Sequence, residues 1–583
     1  MKTQAAPMHG PVGTSRWRRA PEWLGSAAVR YRELLFVAAL TAIAIFMRTY
    51  LLLDYPPGLH GDEGIAAFDA RRVLNEGWVG PYLRSSLGYP SGPAYATAAV
   101  FKVFGDSDFS VRLAPALLGS ATVPLGYAAF RVMYGYRVAV LAAIFLTFSA
   151  WHLHYSRVAF LPIAWPLMEV ATMLPLFFAA KTKRWYYFAI AGVMAGFGVY
   201  SYGAYPIFVA ALALFFLWFG IREYVLRKLH IFAWHVSIFI GGFYIAAFSM
   251  IQYASNSSND YFGRAKGLSL QETPQWKAAH NPLDKFDVAF AAWKHWLESM
   301  VWRGHFDGVD AAGAGPMFDK LTVALAAAGL VIAIMNWRRL SNAFVLILVL
   351  IIPLAAVFTV DAAYRRTLGL VPALVVLMAL PLAGIWRWAD QQTRWKRMAS
   401  YAAVVCIVVL SASINVRYYF GTLASSNGAR WTYAEELAQA SRYVEHTHPD
   451  LVYFYSGRWS YSYDTRKFLA PDVPGEDRSK EFGTSGVQLE ADRTKDVLYV
   501  FIGGYSSLLP DVQKMYPEGE AHNGLASDGR LLFVAYRVPK YDDGSSSATG
   551  TSTNAPVTSP PTGSNLATRL AAAERMARRR ARQ

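Results

Sequence analysis

Two adjacent carboxylates stand in the segment His60-Gly61-Asp62-Glu63-Gly64, shortly after the first long apolar run of the chain. A carboxylate held beside an apolar boundary has a raised pKa, which suits a general base that takes a proton near neutral pH. The flanking glycines would permit close approach of a substrate. The same segment is also typical of a solvated turn that leads into a helix beginning near Asp62. A chemical role therefore depends on the residues that accompany the pair.

Four arginines lie at the ends of long apolar runs or in the short loops between them. Arg365 and Arg366 share one loop, Arg157 lies in another, and Arg112 begins the second run. Charged residues at such places are costly and commonly mark a substrate path or an ion pair. Because a guanidinium donates two parallel hydrogen bonds to phosphate and stays charged, the set predicts an anionic ligand. Snorkelling to lipid headgroups, or pairing with a nearby aspartate, is the alternative.

Composition limits the kind of protein that can hold these residues. The 583-residue chain is 54% hydrophobic and only 16% charged, and its mean hydropathy is +0.23. Soluble domains carry about 25% charged residues, so a soluble, disordered or fibrous protein is excluded and a polytopic membrane protein is indicated. The net charge of +16 does not indicate a nucleic-acid partner, because the Lys and Arg residues flank apolar runs. The single cysteine, Cys406, excludes an internal disulfide.

Long apolar runs must position the acidic pair and the arginines. A bilayer core about 30 Å thick is crossed by a helix of about 20 apolar residues. We predict about 11 transmembrane helices on this basis. Their limits lie near 34–53, 112–131, 138–153, 163–180, 185–203, 204–220, 231–251, 320–337, 343–360, 367–388 and 399–416.

Basic loops predict the orientation of these helices. Alternation from a cytoplasmic N-terminus places five basic segments inside, as the positive-inside rule requires. These segments are 131–137, 181–184, 222–228, 337–339 and 387–397. The acidic pair and the four arginines then lie on the extracytoplasmic side of the plasma or inner membrane, where the outer loops 54–111 and 252–318 are unusually long.

A small outer domain is expected after residue 420. Strand-like runs occur at 451–455, Val497–Ile502 and Leu531–Val538, and Thr432 with Glu435 has capping-box spacing for a helix reaching about His446. The predicted organisation is a basic cytoplasmic N-terminus (1–33), a membrane domain (34–420), an extracytoplasmic α/β domain (421–541) and a flexible Ser/Thr/Gly/Pro tail with a basic end (542–583).

Other polar residues carry weaker signals. Tyr200 and Tyr202 suit a groove for sugar or lipid, or anchoring at the membrane interface. His152 and His154 have a poor spacing for two metal ligands on one helix. Glu169 lies inside the fourth run and needs a partner, for which Arg112 or a histidine is available.

Five segments of the chain occur in a recognisable order. They are PPGLHGDEG (56–64), SVRLAPALLG (110–119), WHLHYSRVAF (151–160), YSY (200–202) and RTLGLVP (366–372). Together they resemble the polyprenyl-phosphate-sugar-dependent glycosyltransferases of the protein O-mannosyltransferase and aminoarabinose transferase type, which is glycosyltransferase family 39-like. The resemblance covers roughly residues 30–390. It implies a GT-C fold for the mainly α-helical membrane domain.

The resemblance also implies a role for each matching residue. Asp62 would take the proton from the acceptor nucleophile, and Glu63 would support the acceptor or orient Asp62. Arg112 would hold the segment 54–64, which we call the acidic loop, by ion pairing. The phosphate of the donor would be neutralised by arginines, namely Arg366, Arg157 and Arg365.

No cofactor is firmly implied by the resemblance. Relatives often carry a charged residue before a Pro and aromatic pair in the first outer loop, where it can contact phosphate or a metal. This chain has YPSGPAY at 89–95 instead, so no metal site is predicted there.

We predict an inverting glycosyltransferase that moves a hexosyl or pentosyl group from a polyprenyl-phosphate donor. The acceptor would be a protein, a glycolipid or a wall polymer at the extracytoplasmic face. The alternative is a transporter or flippase of an anionic lipid-linked cargo, in which the carboxylates relay protons; the sequence shows no internal repeat of the kind expected for it. A non-catalytic scaffold is a third interpretation, for which Asp62 would be dispensable.

Overall fold

The computed structural model describes residues 27–223, 229–256, 261–305, 308–310, 313–360, 364–479 and 487–541. The predicted tail (542–583) and most of the predicted basic N-terminus (1–33) lie outside these ranges. The described residues up to Pro539 belong to one compact unit.

The regular elements of the described chain as far as residue 423 are helices, apart from a short hairpin. The hairpin pairs β1 (Tyr82–Leu83) with β2 (Tyr89–Pro90). The helices are α1 (Ala27–Thr49), α2 (Gly61–Glu76), α3 (Gly92–Phe104), α4 (Asp108–Tyr134), α5 (Tyr136–Phe148), α6 (Ala150–Tyr155), α7 (Ala164–Thr182), α8 (Trp185–Gly198), α9 (Pro206–Glu223), α10 (Leu229–Ser255), α11 (Gly263–Gly267), α12 (Pro274–Ala278), α13 (Pro282–Glu298), α14 (Lys320–Met335), α15 (Leu340–Ile351), α16 (Leu354–Val357), α17 (Val371–Ala389) and α18 (Arg394–Tyr418).

Helix α17 lies at the centre of the helical part. Every residue from Val371 to Leu380 is buried, as expected for a helix that is apolar on all sides. Helices α5, α14 and α18 pack around it. Helix α10, by contrast, exposes large apolar side chains such as Ile240 and Ile245, which suits contact with lipid.

Each of the predicted apolar runs is helical over most of its length. Two of them are interrupted: Ser149 ends α5 and caps α6, and Pro353 separates α15 from α16 because proline cannot continue the hydrogen-bond ladder. When neighbouring helical elements are joined, five helical segments of the described chain are long and apolar enough to cross a membrane by length and composition: Asp108–Tyr134, Leu229–Ser255, Leu340–Val357, Tyr364–Ala389 and Arg394–Leu423. The count of about 11 stays a prediction.

A five-stranded sheet with flanking helices follows the last long helix, and we call residues 427–541 the C-terminal region. Its strands are ordered β4-β3-β5-β7-β6, with β3 parallel to β4 and β5, and β7 antiparallel to β5 and β6. Its elements are α19 (Asn427–Thr432), α20 (Glu435–Thr447), β3 (Leu451–Ser456), α21 (Asp464–Leu469), β4 (Gly475–Asp477), β5 (Val497–Ile502), α22 (Leu509–Met515), β6 (Glu520–Leu525) and β7 (Leu531–Val538).

The mainly helical fold with a small C-terminal α/β region is confirmed. The three predicted strands are β3, β5 and β7, and all residues of β3 and β5 are buried. Strands β4 and β6 were not predicted, because β4 is short and β6 is mostly exposed and polar. The predicted cap at Thr432 is wrong: α19 ends there, and Ala434, with a φ of 48°, precedes α20.

Candidate functional site

The acidic pair begins helix α2, and a capping box fixes its first turn. The His60 backbone N–H donates to Glu63 Oε2 at 3.0 Å, and the Asp62 backbone N–H donates to His60 Nδ1 at 3.0 Å. These bonds satisfy N–H groups that have no partner within the helix. The first of them turns the Glu63 carboxylate back toward the start of its own helix, whereas the Asp62 carboxylate takes no part in the capping box.

Glu63 is completely buried against Arg112. The Arg112 Nε donates to Oε1 and one Nη to Oε2, each at 2.9 Å, and the Ala159 N–H donates to Oε1 at 2.9 Å. The remaining Arg112 N–H groups bind backbone carbonyls of the loop that leads to α2. Those carbonyls belong to Leu52, Pro56 and Gly58. All five guanidinium N–H groups are therefore used within the protein.

The electrostatics of Glu63 follow from this burial and pairing. Burial acts to raise the pKa of the carboxyl, but the Arg112 charge and the donated hydrogen bonds outweigh it, so the pKa lies below its ordinary value of 4.5. Glu63 is thus a carboxylate at neutral pH with its acceptor sites occupied. It can hold the acidic loop and, through the backbone, the position of Asp62.

Asp62 faces a cavity of about 110 Å³, which we call the acidic cavity. Its side chain is 43% exposed, and Oδ1 accepts a hydrogen bond from Ser86 Oγ at 2.9 Å. The contact of Oδ2 with His60 Nδ1, at 3.9 Å, is not an ion pair, since that nitrogen already accepts the Asp62 N–H. Asp62 therefore keeps an oxygen available in an open space.

Two arginines line the acidic cavity with Asp62. Arg365 is held at 2.9 Å from the buried carboxylate of Asp310, which also accepts from the Tyr364 N–H at 2.8 Å and the Tyr155 hydroxyl at 2.5 Å. Arg264 also lines the cavity. A carboxylate and two guanidinium groups thus border one small space, which is the arrangement that a proton acceptor and an anion site require.

Arg264 was missed in the sequence, although it lies in the long second outer loop. One of its Nη atoms donates to the carbonyls of Ser86 and Gly88, each at 2.8 Å. It therefore fixes the turn whose Ser86 hydroxyl holds Asp62. The signal that singled out Arg365, a basic residue on the predicted outer side, applies equally to Arg264.

A second carboxylate lies behind this turn. Asp69 is buried and accepts hydrogen bonds from the hydroxyls of Ser85 and Tyr89. Burial and the Asp69 charge raise the pKa of Tyr89, so its phenol stays protonated and donates. Ser86 has a φ of 47° and Leu87 one of 65°, a left-handed conformation that costs energy in residues with a side chain. The turn beside Asp62 is therefore held under strain by its neighbours.

The other predicted phosphate ligands lie outside the lining of the acidic cavity. Arg366 is buried, with 8% of its surface exposed. Arg157 is fully buried, and its guanidinium donates at 2.7–3.1 Å to backbone carbonyls at the end of α1 and in the following loop. These carbonyls belong to Met47, Tyr50, Leu51 and Tyr55. The geometry of Arg157 is that of a clamp on the acidic loop.

The two predicted tyrosines have different surroundings. Tyr202 lines the acidic cavity, and its ring stacks on Trp165 with centroids 6.2 Å apart. Tyr200 is turned toward α10, where its hydroxyl donates to the Ala246 carbonyl at 3.2 Å. The structure thus brings Asp62, Arg365 and Tyr202 together and leaves Tyr200 elsewhere.

Glu169 does not have the partner expected from the sequence. Its two carboxyl oxygens are buried and have no hydrogen-bond partner among the described residues, and Arg112 pairs with Glu63 instead. The expected pairing with Arg112 is wrong because that guanidinium has no donor left. Within the described ranges, no three His, Cys, Asp or Glu side chains are grouped as around a metal ion.

The glycines of the acidic loop lie against the C-terminal region. Gly58 has a φ of +83°, and a Cβ there would lie 2.1 Å from the Tyr433 carbonyl oxygen. A Cβ on Gly61 would lie 2.7 Å from the Tyr463 hydroxyl oxygen. A Cβ on Gly64 would lie 2.8 Å from the Asp464 carbonyl oxygen. The expectation that the two glycines flanking the acidic pair, Gly61 and Gly64, admit a substrate is therefore wrong, since they admit the protein's own atoms.

Two polar contacts add to this docking. The Thr465 hydroxyl donates to the Leu59 carbonyl at 2.9 Å, and Arg442 pairs with Asp108 at 2.9 Å. The C-terminal region therefore forms part of the support for the acidic loop. No sequence pattern indicated this, because the paired residues are hundreds of positions apart.

Comparison with known proteins agrees with the motifs. Residues 89–246 match the model of a family described as dolichyl-phosphate-mannose-protein mannosyltransferase. This segment holds Arg112, Arg157, Tyr200 and Tyr202, whereas Asp62 and Arg365 lie outside it. No curated protein sequence gives a significant match.

Two solved structures are among those similar to this chain. ArnT from Cupriavidus metallidurans, bound to undecaprenyl phosphate, is 14% identical, with a TM-score of 0.46 over 88% of this chain and 98% of ArnT. The oligosaccharyltransferase AglB from Archaeoglobus fulgidus, in complex with an inhibitory peptide and a dolichol-phosphate, is 15% identical, with a TM-score of 0.49 over 77% of this chain and 65% of AglB.

The resemblance predicted from the motifs is confirmed by the family match: over residues 89–246 this chain is similar to the dolichyl-phosphate-mannose-protein mannosyltransferases.

Proposed function

We propose that this protein is a GT-C glycosyltransferase that moves a sugar from a polyprenyl-phosphate donor to an acceptor hydroxyl at the extracytoplasmic face of the membrane. The observation that carries the proposal is the acidic cavity, where the open carboxylate of Asp62 shares one space with Arg365 and Arg264. The family match over residues 89–246 supplies the reaction class.

In the proposed reaction, the acceptor oxygen attacks the anomeric carbon of the sugar. Asp62 takes the proton of the acceptor, and the bond between the anomeric carbon and the phosphate oxygen breaks. The electron pair leaves with the polyprenyl phosphate, whose negative charge is balanced by Arg365 and Arg264. Because attack and departure occur on opposite sides of the carbon, the configuration inverts.

Most of the other predicted residues would serve this reaction by holding the acidic loop in place. Glu63 and Arg112 hold the start of α2, and Arg157 holds the loop before it. We assign these three to positioning. Tyr202 borders the acidic cavity and would contact the sugar or the lipid. Arg366 stays a predicted phosphate ligand, to be tested against Arg365 below.

The test of the proposed function is reconstitution in liposomes with radiolabelled polyprenyl-phosphate sugars. Replacement of Asp62 by Asn removes the base and leaves the side-chain size unchanged, so transfer should fall by about 10²–10⁴-fold, the range of general-base catalysis. The melting temperature should not change, because Asp62 is half exposed. Equal product from both proteins would exclude Asp62 as the base.

The same liposomes separate transfer from transport. Movement of intact donor across the bilayer without product would favour the flippase. A protein that neither transfers nor moves the donor, with Asp62 dispensable for its biological effect, would favour the scaffold.

The proposed orientation places α2 and the C-terminal region on the extracytoplasmic side. A phosphatase reporter, active only after export, fused after Pro539 should therefore be active, and one fused within the basic segment 337–339 should be inactive. An inactive fusion after Pro539 would contradict the eleven-helix topology and would remove the C-terminal region from the proposed side.

A further inference from the structure

A second and larger cavity lies between the acidic loop and the C-terminal region. Its volume is about 650 Å³, and we call it the aromatic cavity. One wall is formed by His60 and Val309, and the other by Trp431, Arg458 and Trp459. The reaction proposed above uses none of the latter three residues.

The far wall is a stacked platform. The guanidinium carbon of Arg458 lies 3.2 Å from the centre of the Trp431 ring and 4.0 Å from that of Trp459. Trp431 is 62% exposed, which is unusual for so large an apolar side chain. Arg458 covers one face of the Trp431 ring, and the exposed remainder of this indole borders the cavity.

Hydrogen bonds hold the platform in place. Arg458 donates to the Trp431 carbonyl at 2.7 Å, and the Trp459 indole N–H donates to Glu436 at 2.8 Å. Glu436 also lies 3.4 Å from Arg458. Because its members are bonded to one another, the platform is preorganised and loses little conformational entropy on binding.

The chemistry of this wall suits a sugar. A pyranose or furanose ring presents C–H groups on its face, which pack on an aromatic ring, and hydroxyls on its edge, which need hydrogen-bond partners. Polar groups of His60, Thr432 and Tyr463 surround the platform. An aromatic pocket with a few placed polar groups is the usual form of a small-ligand site.

The aromatic cavity offers little to an extended peptide. Peptides that bind to sheets add a strand at a free edge. The edge strands here are β4 and β6, and neither contributes to the lining of this cavity.

The two cavities share a wall. Val309 lines both, and His60 lines the aromatic cavity two residues before Asp62, which lines the other. The two cavities therefore adjoin, and a ligand on the platform lies in the cavity next to the one that Asp62 lines. We propose that the aromatic cavity is the acceptor site, and that the acceptor is a glycan whose terminal sugar stacks on Trp431. The inference rests on the proposed function and adds the class of acceptor.

The experiment measures binding in the absence of donor, with the full chain in lipid nanodiscs. The probes are an array of mannose, galactose, glucose, arabinose and N-acetylglucosamine oligosaccharides, and a second array of Ser-, Thr- and Asn-containing peptides. At least one glycan should be retained, and saturation-transfer NMR should show contact along one C–H face of its terminal sugar. Trp431→Ala should weaken retention by at least about tenfold, whereas Trp431→Phe should keep part of it.

The matched control is Trp302→Ala, since Trp302 is 69% exposed and lies outside both cavities. It should bind glycans as the wild type does. Equal glycan binding by the Trp431→Ala protein, or retention of peptides alone, would overturn the proposal.

Failure of the proposed function has a different result. Asp62→Asn should keep glycan binding and lose transfer. A wild-type protein that binds glycan through Trp431 but turns over no polyprenyl-phosphate sugar would contradict the transferase and leave the glycan site supported.

Discussion

Asp62 and Glu63 are neighbours in the chain, yet they belong to two different regions of the molecule. The region behind the acidic loop contains Glu63, Arg112 and Arg157, all buried and bonded within the protein. The region in front of it contains Asp62, Arg365 and Arg264, which border an open space. Both regions combine a carboxylate with two arginines.

The two regions differ in how many of their hydrogen-bonding groups are left to bind a ligand. Arg112 has five donors and five acceptors around it, so it cannot bind a phosphate without abandoning the loop. Asp62 accepts one side-chain hydrogen bond, from Ser86 at 2.9 Å, and its side chain is 43% exposed and lines the acidic cavity. Residue type alone does not distinguish a residue that holds the loop from one that reacts with a ligand. The number of hydrogen-bonding groups that the residue has left for a ligand does distinguish them.

Glu63→Gln is expected to have the largest effect on the region behind the loop. It leaves the Arg112 charge buried without a counter-charge, which costs about 3–5 kcal/mol in the free energy of unfolding. Denaturant unfolding in detergent measures this loss. The control is Glu76→Gln, on the exposed end of the same helix, which should cost less than about 0.5 kcal/mol. A stable Glu63→Gln protein with an unstable Asp62→Asn protein would contradict the assignment of Glu63 to holding the loop and of Asp62 to the reaction.

Gly58→Ala tests whether the C-terminal region supports the acidic loop. The added Cβ would meet the Tyr433 carbonyl oxygen, and relief of such overpacking costs about 1–3 kcal/mol. Gly77→Ala is the matched control, because Gly77 has a φ of +76° but open space around it. Both glycines have a positive φ, which an alanine adopts only at a cost, so the excess loss of stability in Gly58→Ala reports the contact. Equal losses would show that the contact does not matter.

Arg365→Lys tests whether Arg365, which lines the acidic cavity, binds the donor phosphate. Lysine keeps the charge but loses the planar fork, so kcat/KM for the donor should fall about tenfold, which corresponds to one charged hydrogen bond. Arg366→Lys should change it less, since Arg366 does not line the acidic cavity. A larger effect of Arg366→Lys would show that Arg366, the residue indicated by the motif, is the phosphate ligand.

The helical part could be predicted from the sequence because its signal is local. A run of apolar residues must become a helix to cross a membrane, so runs such as 367–388 and 399–416 correspond to α17 and α18. Strands β3 and β5 were predictable for the same reason, as continuous apolar runs. Strand β6 is exposed and polar, and only its pairing with β7 makes it a strand.

The site was less predictable because its contacts are not local. Asp62 depends on Ser86, which depends on Arg264, and no spacing in the chain relates these positions. The glycines near Asp62 illustrate the same limit of prediction. Their presence in the sequence indicates that another group approaches the backbone closely, but only the fold shows that Tyr433 and Tyr463 are these groups. Sequence motifs identify the acidic loop, whereas residues distant in the chain determine which groups the loop contacts.

Arg157 has a consequence for how the protein can change over time. It holds the turn after α1 through main-chain oxygens at positions 47, 50, 51 and 55, and those oxygens are present whatever the side chain. These four hydrogen bonds therefore do not depend on which side chains stand at the four positions, whereas they do depend on the arginine. A lysine there, with a single ammonium, could not span the four oxygens.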